Sequence, residues 1–299
     1  MRKPDFFIIG APRCGTTAMY AYLAQHPDVF MASEKESHHF ATDLLPPDDP
    51  QRSRDAYLEL FNGARDTQIV GEASVYYLFS KEAARNIHAF NPAAKIIVQF
   101  RNPVEMLDSL HSNMMYLGRE NISDMGEALD AEADRKAGRR IPPGDLRFVQ
   151  RLFYSEIIKW AGQLQRYFDI FGREAVHVII MDDLKAEPAR VYRETLDFLG
   201  VRASFEPSFN VVNANKRVRS RWFQHLLYRP PKWMRLIGRM LVPRGRRAAV
   251  IERAKALNIE HVRRQPLSPA VRERLRAMCA PEVEKLGALI GRDLSQWTR

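Results

Sequence analysis

Cysteine is nearly absent, with only Cys14 and Cys279 in a chain of 299 residues. Two such thiols make neither a disulfide framework nor a zinc site, and a reducing compartment is the simpler expectation. No stretch approaches the ~18 consecutive apolar residues that span a bilayer. The short run Phe6-Phe-Ile-Ile9 falls below the length of a secretory leader and leads straight into a glycine turn. It is read as a first strand and the protein as cytoplasmic. Internal repeats and low-complexity segments are also missing, and at 45% hydrophobic residues the chain can bury one sizeable core.

Acidic residues are missing from one long segment: residues 216–247 hold eleven Lys and Arg and no Asp or Glu, enough to account for the net charge of +10. Trp222, Phe223, Leu226, Trp233, Ile237 and Leu241 interleave with the charges, a pattern of amphipathic helix broken at Pro230-Pro231. Two uses stay open for it. The arginines either pack their stems on the core with solvated heads, or meet an acidic acceptor or anionic membrane surface. Nucleic acid is not an expected partner, because no recognised nucleic-acid motif accompanies the charge.

What is present is an anion loop. Residues 6–17, FFIIGAPRCGTT, run from an apolar strand through a turn bounded by Gly10 and Gly15 into a helix opened by Thr16 and Thr17. Small residues let backbone N–H groups approach an anion, and the helix N-terminus favours negative charge. The spacing is that of a Walker A loop, but Thr16 stands where the lysine belongs, and the nearby cation is Arg13 inside the loop. A second strand, Lys95-Ile-Ile-Val-Gln-Phe100, ends in Arg101 where a Walker B strand ends in Asp. That arginine suits a second phosphate and repels a metal, which counts against a kinase or nucleotidase.

These two motifs resemble those of the sulfotransferases that use 3′-phosphoadenosine-5′-phosphosulfate (PAPS). GAPRCGTTAMYAYLAQHP is similar to the family's 5′-phosphosulfate loop, and KIIVQFRNPVEMLDSL to its 3′-phosphate motif. The resemblance assigns Arg13, Cys14, Gly15, Thr16 and Thr17 to the 5′ end of the donor, and Arg101 and Ser109 to its 3′-phosphate. Met31–Phe40 is similar to a Lys-Glu-x-His-Phe segment, implying Glu36 as general base, with His38 as its orienting partner, an acceptor contact or itself the base. Lys35 would be a second cation near the sulfuryl group and Arg13 the leaving-group cation. A solvated charge run remains the alternative for Glu34-Lys35-Glu36.

Gly71–Tyr77 is similar to Gly-Glu-x-Ser-Pro-x-Tyr, with Val75 for the proline and Ala73 where the family has a catalytic lysine; Glu72 is a second acid candidate. Lys216 and Arg219 lie in a loop similar to one that closes on the 3′-phosphate. Asp182 stands for a usual Glu, and Gly291–Trp297 resembles the close of bacterial members. Tyr77 and Tyr154 read as core aromatics. The implied donor is PAPS and the product 3′-phosphoadenosine-5′-phosphate (PAP), with no metal. The acceptor is a carbohydrate or small molecule, and oligomeric state is open.

Strands are expected near 5–10, 28–32, 68–72, 95–100 and 175–181. Helices are expected near 16–26, 53–61, 80–89, 103–118, 124–138, 147–170, 187–199 and 268–290. The fold class is α/β: three α/β/α layers, a mostly parallel central sheet, P-loop NTPase-like, with a C-terminal helical cap. Residues 1–215 form the core and 216–299 a basic helical segment on the same domain. Arg13, Glu36, Glu72 and Arg101 are expected to converge beyond the carboxyl ends of the strands.

Overall fold

The computed structural model describes residues 2–143, 148–209, 217–218, 259–260 and 266–299. Its central sheet contains β1 (Phe6–Gly10), β2 (Val29–Met31), β3 (Ile69–Ala73), β4 (Lys95–Phe100) and β5 (Val176–Ile180) in the order β2-β3-β1-β4-β5. All four pairings are parallel. Each strand lies within a residue of its expected bounds, because a parallel sheet covered on both faces requires continuous apolar β-branched and aromatic runs. Alternation sends Phe6 and Ile8 to one face, Phe7 and Ile9 to the other.

The helices are α1 (Thr16–Leu23), α2 (Arg54–Glu59), α3 (Ala83–Phe90), α4 (Pro103–Tyr116), α5 (Met125–Asp130) and α6 (Glu132–Lys136). They continue as α7 (Tyr154–Ile157), α8 (Trp160–Phe171), α9 (Met181–Ala186), α10 (Pro188–Leu199) and α11 (Pro269–Ile290). Met19 of α1, Leu184 of α9 and Leu196 of α10 cover Phe6 and Ile8. Leu107 of α4, Leu164 of α8 and Leu286 of α11 join the opposite core with Phe7 and Ile9.

Three expectations are corrected. The helix expected over 124–138 divides at Ala131 into α5 and α6. The one expected over 147–170 resolves into a 3-10 turn, Val149–Leu152, then α7 and α8. Here α7 is pinned sideways: Tyr154 Oη donates to Glu120 Oε2 at 2.8 Å and Ser155 N to Glu132 Oε2 at 2.9 Å. Glu120 is itself held by fully buried Arg135 at 2.7 Å, so the segment cannot run straight. Met181, expected to end a strand, opens α9. The C-terminal helix α11 keeps its expected bounds near 268–290. It buries Leu275, Cys279, Val283 and Leu286 in the side layer with α4 and α8. In the basic segment a two-residue antiparallel ladder joins Arg217–Val218 to Ile259–Glu260, and the remaining helical expectation for 216–247 lies outside the described residues.

The closing motif fastens two strand ends together. Trp297 donates its indole N–H to Asp182 Oδ2 at 2.8 Å, and its carbonyl accepts from Asn102 Nδ2 at 3.2 Å. Asn102 Oδ1 also caps α4 through Val104 N at 3.0 Å. The start of α9 and the turn that carries Arg101 are thereby tied to one residue, Trp297.

Gly71 on β3 pairs with Phe6 on β1, and a Cβ at Gly71 would stand 2.1 Å from the buried Phe6 ring. Gly71→Ala is expected to lower stability by about 1–3 kcal/mol, read as a lower urea midpoint with an unchanged slope. An unchanged midpoint would mean that the two strands give way without cost.

Candidate active site

The loop after β1 is shaped for an anion. Arg13 and Gly15 both take left-handed φ values, 61° and 91°. Gly15 is required twice over, by that φ and because a Cβ there would stand 2.4 Å from the Met181 sulfur. It is also the N-cap of α1, which has no side-chain cap, whereas Ser53, Asn102, Asp124 and Ser268 cap α2, α4, α5 and α11. Among the described residues the N–H groups of Gly15, Thr16 and Thr17 have no backbone acceptor. An uncapped helix start with turned-out N–H groups is an anion seat. Cys14 differs from its expected role as a ligand residue. Its thiol is buried and pushed up to about 12 by burial, and its N–H reaches Ala11 O at 3.3 Å, so it packs the loop from beneath.

The loop opens on a cavity of about 440 Å³ lined by Arg13, Thr16, Thr17, Arg101 and Ser109, and by Glu36 and His38. The motifs from β1 and β4 therefore face one space. Arg13 Nε donates to Ser109 Oγ at 2.9 Å, which joins the two motifs directly. Arg101 is held by Glu105, one turn into α4, with Nε at 3.0 Å and Nη2 at 2.6 Å from the same oxygen. Lys35 Nζ donates to Thr17 Oγ1 at 3.0 Å and stands 3.8 Å from Glu36 Oε1.

Glu36 and His38 are also left-handed, with φ of 66° and 50°. Of the four non-glycine residues with positive φ among the described residues, three are Arg13, Glu36 and His38. Backbone in that region costs energy and is retained where a site needs it. Glu36 is thus no solvated charge run. Its Oε2 accepts from Val75 N at 3.1 Å and lies 3.3 Å from His38 Nε2. The proline usual at position 75 has no N–H to give, so this chain's valine adds a hydrogen bond to the carboxylate. Burial raises the Glu36 pKa, opposed by Lys35 and the Val75 N–H. His38 is pushed down to about 3, by burial first and then by Arg151, Arg119 and Lys35, and so is neutral near pH 7.

Glu72 does not enter the cavity. It is fully buried beneath the 35–38 loop, where its Oε1 accepts from Ser74 Oγ at 2.6 Å and Ser37 Oγ at 3.2 Å. Ser74 Oγ in turn accepts from His38 N at 3.0 Å. Glu72 is a floor that fixes the loop. The neighbouring histidine, His39, stacks on Tyr57 at 4.3 Å and plays no part in the cavity. Tyr77 and Tyr154 are fully buried, as their reading as core aromatics requires.

Lys216 and Arg219 lie outside the described residues. Sequence reasoning missed Gln51, Asn113, Arg119, Phe148 and Arg151, which all line the cavity. One signal was available: Ser109, Asn113 and Leu117 recur every four residues along α4, so a ligand beside the first faces the others. For Phe148 and Arg151 there was none, because the expected long helix hid the turn that presents them.

The Glu72 carboxyl titrates at about 7 rather than its ordinary 4.5, raised mainly by burial. Between those values the folded protein keeps a proton that the unfolded chain has released. This contribution to stability is full below about pH 4.5 and is lost as pH rises to about 7. The unfolding free energy of wild type minus that of Glu72→Gln is therefore expected to fall across this window, measured by urea unfolding at several pH values. A flat difference would contradict the buried titration.

The sulfotransferase domain family matches residues 3–224. A sulfotransferase structure from Alicyclobacillus acidocaldarius is 31% identical and covers 100% of both chains with a TM-score of 0.74. The human bifunctional heparan sulfate N-deacetylase/N-sulfotransferase 3 is 27% identical over 67% of this chain and 22% of its own length. Human carbohydrate sulfotransferase 15 is 31% identical over 40% of this chain and 28% of its own. The matches thus span less than a third of these two relatives. A kinase reading is not favoured, since Thr16 and Arg101 stand where its lysine and metal-holding Asp belong. With its donor motifs facing one cavity, the chain belongs to the sulfotransferase family, whose sulfuryl donor is PAPS.

Proposed function

We propose that this chain moves the sulfuryl group of PAPS to a hydroxyl group, in preference to an amine, of a carbohydrate or small-molecule acceptor, with Glu36 as general base. The observation that carries the reading is Glu36 itself. It is a carboxylate with a raised pKa, held on a left-handed backbone in the cavity that the anion loop opens. The donor supplies a sulfuryl group already bonded to a phosphate leaving group. The uncapped start of α1 with Thr16 and Thr17 would hold its 5′ end, and Arg101 and Ser109 its 3′-phosphate, with Glu105 yielding the arginine. No metal is invoked.

Glu36 takes the acceptor proton, which a carboxylate can do when its surroundings raise its affinity for protons. Neutral His38, 3.3 Å away, orients that carboxylate without adding a charge that would lower its basicity. Lys35 acts on the sulfuryl side through its contact with Thr17 and fills the need for a cation left by Ala73. Arg13 keeps its proton at neutral pH, so it stabilises charge on the leaving phosphate by field and hydrogen bonds alone. The cytoplasmic setting, inferred from two buried free thiols, belongs to the same proposal. Among the described residues no helix is long and apolar enough to cross a membrane.

Glu36→Gln is expected to lower sulfuryl transfer from PAPS to a competent acceptor by roughly 10²-fold or more, with PAP affinity close to wild type. Isotope-labelled PAPS gives the first quantity and calorimetry the second. Transfer within a few-fold of wild type would remove Glu36 from the role.

A further inference from the structure

A chain terminus frays unless something ties it down, and here side chains do so. Helix α11 stops at Gly291, with φ 68°, and the motif Gly291–Trp297 then closes in a 3-10 turn, Ser295–Trp297. Two of its side chains grip the first turn of α9. Arg292 meets both oxygens of Asp183, with Nη2 at 2.6 Å from Oδ1, and the Trp297 indole N–H donates to Asp182 Oδ2 at 2.8 Å. Trp297 itself is buried in the core shared by α4, α8 and α11. Resting on the sulfotransferase reading, we propose that Trp297 is a positioning residue for the donor. Braced on α9, it holds Asn102 and through it sets Arg101 at the 3′-phosphate.

The path runs through one amide. Asn102 Nδ2 donates to Trp297 O at 3.2 Å, while Asn102 Oδ1 caps α4 through Val104 N at 3.0 Å. Asn102 stands between Arg101 and the first helical residue, Pro103. Its side chain therefore fixes both the backbone that carries Arg101 and the start of the helix that carries Ser109. The need for that fixing comes from Arg101. Its Nε and Nη2 lie on Glu105 Oε2 at 3.0 and 2.6 Å, so a phosphate must take the guanidinium over from a carboxylate one turn along the same helix. If the backbone beneath the arginine were loose, ordering it on binding would cost affinity.

The brace is registered to the anion loop as well. Met181, next to Asp182, lines the cavity, and its sulfur would stand 2.4 Å from a Cβ on Gly15. Asp182, and with it Trp297, is thus seated against the loop that follows β1. Arg101 follows β4. A donor with phosphates at its 5′ and 3′ positions needs those two seats at a fixed separation, and the contacts through Trp297 link them outside the sheet. Preorganisation of this kind acts on affinity for the bisphosphate, not only on stability of the fold.

The test is a double-mutant cycle on PAP affinity, measured calorimetrically on the full-length protein as wild type, Trp297→Phe, Arg101→Ala and the pair. Trp297→Phe keeps an aromatic ring and removes the indole N–H. It is expected to weaken PAP by roughly three- to tenfold when Arg101 is present, and by less than about twofold when position 101 is Ala. Asp182→Ala removes the same hydrogen bond from its half-buried acceptor. It is expected to repeat both results with a thermal midpoint near that of wild type, which separates the effect from a damaged fold. Unchanged PAP affinity in Asp182→Ala, or in Trp297→Phe with only a lower thermal midpoint, would overturn the proposal by leaving the motif a role in stability alone. An equal loss of affinity with and without Arg101 would overturn it too, because the effect would then reach the donor by another route. Failure of the wild type to bind PAP at all would instead sink the sulfotransferase reading beneath it.

Discussion

An α-helix leaves its first N–H groups unpaired, and at α1 no side chain among the described residues caps them. That open helix start depends on Gly15, whose left-handed φ and lack of a Cβ leave room for Met181. The rest of the site is arranged around the resulting pocket of positive potential. Arg13 crosses it to Ser109, Lys35 reaches in to Thr17, and Arg101 waits at the next strand end on an internal carboxylate. The parallel sheet brings these together because β1 and β4 are neighbours that end on the same side.

A catalytic carboxylate in such a field needs support against losing its basicity. Burial raises the proton affinity of Glu36, while Lys35 and the Val75 N–H lower it, and the balance stays on the raised side. Burial first, and then Arg151, Arg119 and Lys35, keep His38 neutral. Glu72, buried below, carries no cavity contact but holds Ser37 and Ser74, and through Ser74 the backbone of His38. Two left-handed residues in a four-residue loop are thereby fixed from beneath.

Much of this was legible in the sequence, and for identifiable reasons. Strands of a doubly covered sheet must be apolar throughout, so all five were readable, as were the loop glycines and the arginine that closes β4. Glu36 and His38 were readable only through resemblance, since a lone Glu-Lys-Glu run looks like solvated charge until its backbone is seen. The demotion of Glu72 from cavity acid to buried support follows from its strand position, which periodicity left ambiguous at the end of β3. Arg151 was hidden because it is placed by contacts distant in sequence, the anchoring of α7 on Glu120 and Glu132, and Arg119 because it stands in the turn that closes α4, with its N–H on Met114 O.

The central claim is that this cavity holds a 3′-phosphorylated adenine nucleotide without a metal. Calorimetric titration with PAP, and with ATP plus magnesium, in wild type and Arg101→Ala tests it most directly. The account predicts that PAP binds far more tightly than magnesium ATP, and that Arg101→Ala weakens PAP by at least roughly tenfold. A preference for magnesium ATP, or PAP binding indifferent to Arg101, would contradict it.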